Sequence, residues 1–149
     1  MAYMMQTLRF EGSIWCNVDI ALRQIDQYYR RMIRPEGLSV IEWYVLRALY
    51  ETDGQHASSL ASAVGRAATS FTPNLDKLVQ KGFIERRPDA NDRRAVCIYL
   101  TQLAQDHREE IIANAAKIDD SIRAMFSDDQ FEVLQQALAR FQALHGVES

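Results

Sequence analysis

The chain has 149 residues, 48% of them hydrophobic and 25% charged, with a formal net charge of -3 and two cysteines. That length suits one globular domain, and the composition excludes a disordered, fibrous or disulfide-framed chain. No apolar run approaches the roughly 18 residues of a membrane span, and the opening MAYMMQTLRFEG has no basic stretch leading into an apolar core, so a cytoplasmic protein without membrane contact is expected.

Over residues 13–33 the apolar positions Ile14, Val18, Leu22, Ile25, Tyr28, Tyr29 and Met32 recur at three and four residues. This spacing predicts an amphipathic helix, ended by Pro35 and Gly37. Ser39 with Glu42 three residues on makes a capping box, so a second helix is expected to about Tyr50, stopped by Asp53 and Gly54. A short third helix fits residues 57–64, closed by Gly65. The fourth, from about Ala68 to Gly82, gathers Phe71, Leu75, Leu78 and Val79 on one stripe and leaves Thr69, Ser70, Thr72, Asn74 and Lys77 on the other faces. Pro73 either distorts this helix locally or, with Thr72 as N-cap, serves as its first residue.

Residues 83–88 and 94–100 alternate with period two around Pro-Asp-Ala-Asn-Asp, which predicts a β-hairpin with a long charged tip. Val96, Ile98 and Leu100 share one face and are expected to pack inward, which points Cys97 outward as an incidental residue. Thr101 caps a long helix to about Phe126, and Ser127 with Gln130 forms a second capping box that opens a last helix through Leu144. The class is mainly α with a small β-hairpin. Two short, tightly joined helices, the second with a polar outer face, followed at once by a hairpin, describe a winged helix-turn-helix.

Charge is unevenly spread. Residues 66–100 carry seven Lys or Arg against four Asp or Glu, and residues 101–149 carry four against nine. A polyanion partner needs a local positive face rather than a positive total, so the middle of the chain is compatible with nucleic acid. Arg66, Lys81, Arg86 and Arg87 are candidates for sequence-blind phosphate contact. Catalysis has little to stand on: there is no Gly-rich phosphate loop, no G-x-S-x-G and no metal triad. Neither Cys16 nor Cys97 has a C-x-x-C partner or a His at ligand spacing, so no metal and no cofactor are expected.

The runs LSVIEWYVL, SLASAVG and TSFTPNLDKLVQKGFIERRPDANDRRAVCIYLT together resemble the MarR family of small dimeric transcriptional regulators, across residues 38–101. The resemblance implies a single MarR-type domain over residues 1–149, with a winged helix-turn-helix lobe at 38–100 and dimerisation helices at 1–37 and 101–149. It further implies a homodimeric repressor on a palindromic site in double-stranded DNA. Thr69, Ser70, Thr72, Asn74 and Lys77 match the stretch that faces the major groove in that family. Asn74 has the chemistry to pair with adenine N6 and N7, whereas Asp76 brings an opposing charge. The hairpin becomes the wing, with Arg93 or Arg94 entering the minor groove and Asp92 positioning it; Arg94 is preferred. A narrow minor groove concentrates negative potential and favours a guanidinium, although the same residues also describe a solvated turn with a surface ion pair.

The resemblance also implies release by a small aromatic or phenolic effector, with Trp15, Trp43, Tyr44, Arg47 and His107 as candidate contacts. Aromatics at helical spacing equally describe a core. His56 reads as a capping or exposed residue. One branch of the family senses organic peroxides through a cysteine near Cys16, supported by tyrosines. Tyr28 and Tyr29 are available here, but no tyrosine follows Ser39 and Trp15 holds the position that aligns without a gap, which favours a buried, inert Cys16. The remaining alternative is a winged helix that binds protein, and its affinity for a partner would lack the steep salt dependence of duplex binding.

Overall fold

A computed structural model describes residues 7–33, 37–65 and 68–146. Its helices are α1 (Ile14–Ile33), α2 (Val40–Glu51), α3 (Ala57–Ala63), α4 (Ala68–Gln80), α5 (Gln102–Asp106), α6 (Arg108–Arg123) and α7 (Asp128–Gln142). Its strands are β1 (Gln55–His56), β2 (Ile84–Pro88) and β3 (Val96–Leu100), antiparallel in the order β1-β3-β2. The chain divides into two units, Met1–Ile112 and Ala113–Ser149, with the division inside α6. Among the described residues no helix is long and apolar enough to cross a membrane.

In the first unit one core joins α2, α3, α4 and the sheet through Leu46, Leu49, Leu60, Phe71, Leu78 and Ile98. The predicted caps set the helix starts. Ser39 Oγ accepts from Glu42 N at 3.2 Å while Glu42 Oε2 accepts from Ser39 N at 3.0 Å. Glu42 is only 1% exposed, and the same oxygen pairs with the Lys81 amine, which also donates to the Gly37 carbonyl at 2.6 Å. One carboxylate thus caps α2 and ties its first turn to the chain just past α4. The α2 helix ends at Glu51, with the expected stop at Asp53 and Gly54 just beyond it. Gly54 has φ +72°, and a Cβ there would meet the Tyr99 ring at 2.7 Å, so only glycine fits. Asp53 Oδ1 accepts from Leu100 N at 2.9 Å, which anchors the turn to β3.

Pro73 lies inside α4, which begins at Ala68, so Thr72 is not its N-cap. Val79, expected on the buried stripe, is exposed, whereas Phe71, Leu75 and Leu78 are buried. The long helix expected from Thr101 breaks at His107 into α5 and α6. The carbonyl of Ala104, which a continuous helix would offer to the Arg108 amide, accepts the Tyr50 hydroxyl at 2.7 Å instead. The strands are shorter than expected, and β1 had no counterpart in the sequence reading. Ile98 and Leu100 are buried as expected, but Val96 is 40% exposed and Cys97 is 6% exposed, the reverse of strict alternation at those two positions. β3 is a central strand, with His56 opposite Cys97 and Gln55 opposite Ile98, so the β1 edge covers Cys97, while Val96 lies beyond that cover toward the tip.

In the second unit Ser127 and Gln130 form the predicted capping box. Arg123 joins α6 to α7 by pairing with Asp128, donating to the Phe126 carbonyl at 2.9 Å and lying 4.5 Å from the Phe131 ring centroid. Pro35 lies outside the described residues.

Candidate nucleic-acid interface

The hairpin tip is built by two short carboxylates. Asp89 N donates to the Ala95 carbonyl at 3.0 Å and Ala95 N to the Asp92 carbonyl at 2.9 Å, closing the loop. Asp89 Oδ1 accepts from the amides of Asn91 at 2.7 Å and Asp92 at 3.3 Å, and Asp92 Oδ1 accepts from Arg94 N at 2.9 Å. Aspartate favours such turns because its side chain reaches its own backbone two residues on. The Asn91 amide is the main reason the Asp89 carboxyl sits below its ordinary range, with the Asp92 amide, the Cys97 thiol and His56 adding to it and burial opposing. Asp92, expected to position the arginine, accepts from the backbone amide of Arg94. Arg93 and Arg94 are exposed, and among the described residues neither guanidinium has a hydrogen-bond or ion-pair partner.

The base of the wing is occupied differently. Arg86 pairs with Asp76 of α4 at 2.6 Å, and Arg87 pairs with Glu85 while lying 4.5 Å from the Tyr99 ring centroid. With Lys81 bound to Glu42, three of the four sequence-blind phosphate candidates already have carboxylate partners. The Arg86 pairing also offsets the charge of Asp76. Arg66, the fourth, lies outside the described residues. On α4, Thr72 and Lys77 are exposed and Asn74 is half-buried; Thr69 and Ser70 lie in its first turns, ahead of the first described side chain of the helix. A cleft of about 620 Å³ gathers Lys77, Lys81, Arg30 and Arg31 around the start of α2, and the Arg30-Arg31 pair was its only signal in the sequence.

Of the effector candidates, Trp43, Tyr44 and Arg47 come together on α2. Trp43 lies edge-on to Tyr44 at 5.3 Å and to Tyr29 of α1 at 5.9 Å, with Arg47 5.8 Å from its ring centroid. Trp43 Nε1 is buried with no acceptor among the described residues. Tyr29 was missed as a member of this group, although its place in the α1 period is plain. Trp15 is 84% exposed, and His107 sits 6.0 Å from the Phe83 ring and 3.5 Å from Glu110. Cys16 is half-buried on α1, and Tyr28 lies twelve residues, about 18 Å, farther along the same helix, so the tyrosines of α1 do not reach the thiol of their own chain. His56 occupies the N-cap position of α3 without capping it; its ring turns to Asp89 at 3.1 Å.

A family model described as MarR family matches residues 38–96. The structure is similar to that of a MarR transcriptional regulator from Methanosarcina mazei Go1, with a TM-score of 0.80, 21% identity, and coverage of 91% of this chain and 98% of that one. It is similar to a probable transcriptional regulator from Pseudomonas aeruginosa, with a TM-score of 0.73, 26% identity, and coverage of 83% and 96%. A mutant MarR from E. coli, solved in complex with operator DNA, matches with a TM-score of 0.77, 20% identity, and coverage of 83% and 89%. A family match on the winged lobe, with this fold around it, makes the chain similar to MarR regulators over residues 38–96.

Proposed function

We propose that the chain is a cytoplasmic, homodimeric repressor that binds a palindromic site in double-stranded DNA and is released by a small aromatic or phenolic effector. The observation that carries the reading is the pair of unpartnered guanidiniums, Arg93 and Arg94, on a tip whose backbone Asp89 and Asp92 hold in place. A cation on a prearranged turn loses little freedom when it enters a groove, and the minor groove is where a single guanidinium gains most. α4 then supplies the major-groove face, and Thr69, Ser70, Thr72, Asn74 and Lys77 are the residues assigned to contact bases and phosphates. The resemblance to a MarR solved on operator DNA supports the same assignment.

Dimerisation is supported by the apolar surface left in water by one chain. Ile14, Val18, Leu22 and Ile25 of α1 are exposed in the first unit, and Val133, Leu138 and Phe141 of α7 in the second. Apolar stripes of this length are interaction surfaces in soluble proteins, and a two-fold dimer matches a palindromic site. For the effector, the buried Trp43 indole N–H is the supporting feature. A donor left unsatisfied costs about 1–3 kcal/mol, which a phenolate or similar acceptor seated beside Tyr29, Tyr44 and Arg47 would recover.

Selecting duplexes from a random pool should return a two-fold site with half-sites about one helical turn apart. On that site Arg94→Ala is expected to weaken binding by at least about 1 kcal/mol while leaving the dimer and its melting temperature unchanged. Undiminished affinity would overturn the wing assignment.

A further inference from the structure

Where the wing leaves the body of its lobe, three side chains far apart in sequence meet. β1 pairs with β3 in the register that sets His56 opposite Cys97, and Asp89 is the first residue beyond β2. His56 Nε2 lies 3.1 Å from Asp89 Oδ2, and Cys97 Sγ lies 3.6 Å from that oxygen and 4.0 Å from His56 Nδ1. One nitrogen, one oxygen and one sulfur donor all fall within 4.8 Å of each other.

We propose that His56, Asp89 and Cys97 form a binding site for a thiophilic divalent cation of the zinc class. Zinc takes tetrahedral N, O and S ligands at about 2.0–2.3 Å, which sets neighbouring donors about 3.3–3.6 Å apart. The 3.1 and 3.6 Å separations at Asp89 are close to those edges; the sulfur-to-imidazole edge is longer, 4.0 Å and to Nδ1 rather than to the Nε2 that faces Asp89, so the His56 ring must turn for one nitrogen to complete the set. The donor set also discriminates: a thiolate and an imidazole with a single carboxylate suit zinc and its neighbours, not calcium or magnesium. His56 is half-exposed, so the fourth position opens to solvent and takes a water. The nearest cationic neighbour across the strand, Arg87, is already paired with Glu85.

The site's position gives it a consequence. Asp89 uses Oδ1 to hold the tip amides of Asn91 and Asp92 and presents Oδ2 to His56 and Cys97. An ion bound at Oδ2 therefore fixes the root of the wing to the start of α3. Any effect on operator affinity rests on the function proposed above; the site itself does not.

Without metal, the Cys97 thiol donates to Asp89, and the same distances serve that hydrogen bond, so the test must separate a thiolate ligand from a thiol donor. Metal-free full-length protein is titrated with cobalt(II) in the absence of DNA. The expected result is a near-ultraviolet thiolate-to-cobalt charge-transfer band that saturates at one ion per chain and is displaced by zinc. Cys97→Ser, which keeps a hydroxyl to donate to Asp89, loses the band and binds zinc at least about tenfold more weakly, while Cys16→Ser keeps both. His56→Asn, the second variant should Cys97→Ser unfold, also weakens zinc binding by about tenfold or more. Absence of the band in the native chain, its survival in Cys97→Ser, its loss in Cys16→Ser, or unchanged zinc affinity in His56→Asn overturns the site. Because no duplex is present, such a failure leaves the proposed DNA binding untouched.

Discussion

Glu42 shows how much one side chain can be asked to do. It is buried, it closes the capping box of α2, and it neutralises Lys81. Lys81→Met strands that charge and is expected to lower stability by about 2 kcal/mol in chemical denaturation. A fully buried pair would cost roughly 3–5 kcal/mol, but the Lys81 side chain is 34% exposed. Adding Glu42→Gln, which keeps a capping side chain and removes the charge, should recover at least half of the loss; no recovery would mean that packing, not charge, set the cost. Asp89 carries a pH dependence of definite sign. Its carboxyl is held below the ordinary 3.8, so its contribution is present above that value and is lost as acid protonates it below. The Asn91 and Asp92 amide resonances should therefore stay native down to about pH 4 and shift only below it; a change nearer neutrality would contradict the carboxylate's role. At this scale the sequence was partly legible. The Asp/Asn cluster announced a turn and the capping boxes announced themselves. The destinations of Lys81 and Arg86 did not, because a lysine's partner 39 positions away is set by packing rather than by local spacing.

Among the elements, the turn between α2 and β1 is the most constrained. Gly54→Ala combines a left-handed backbone with a clash against the Tyr99 ring and is expected to cost about 1–3 kcal/mol; native stability would show that the ring can move aside. Pro73 offers the opposite case. It is exposed, and it removes one hydrogen bond from the interior of α4, so Pro73→Ala should raise stability by about 1–2 kcal/mol in the same measurement. Helical periods and glycine stops placed most helices within a few residues. What failed were β1 and the sides of Val96 and Cys97 on β3, whereas Ile98 and Leu100 are buried as expected. A two-residue strand has no period to read, and its pairing with residues 97 and 98 decides which side chains are covered. The His56, Asp89 and Cys97 cluster was invisible for the same reason, since neighbours across a ladder carry no signature in sequence spacing. The break at His107 depends on a hydroxyl arriving from Tyr50, again a tertiary cause.

For the whole molecule, the apolar face of α1 was evident from its spacing, but periodicity says that a face is apolar, not what covers it. If a second copy covers it, Leu22→Asp should yield monomers in sedimentation at concentrations where the native chain is dimeric, and duplex binding should fall with it; a dimer that persists would move the interface elsewhere. The most direct test of the account as a whole is the salt dependence of binding to the selected duplex. Cations meeting phosphates release counterions, so log K should fall linearly with log salt, by roughly 0.9 for each phosphate neutralised, and the slope should shrink by about one in Arg94→Ala. A flat response, or a slope that the wing variant leaves unchanged, would contradict the claim that this hairpin reaches DNA.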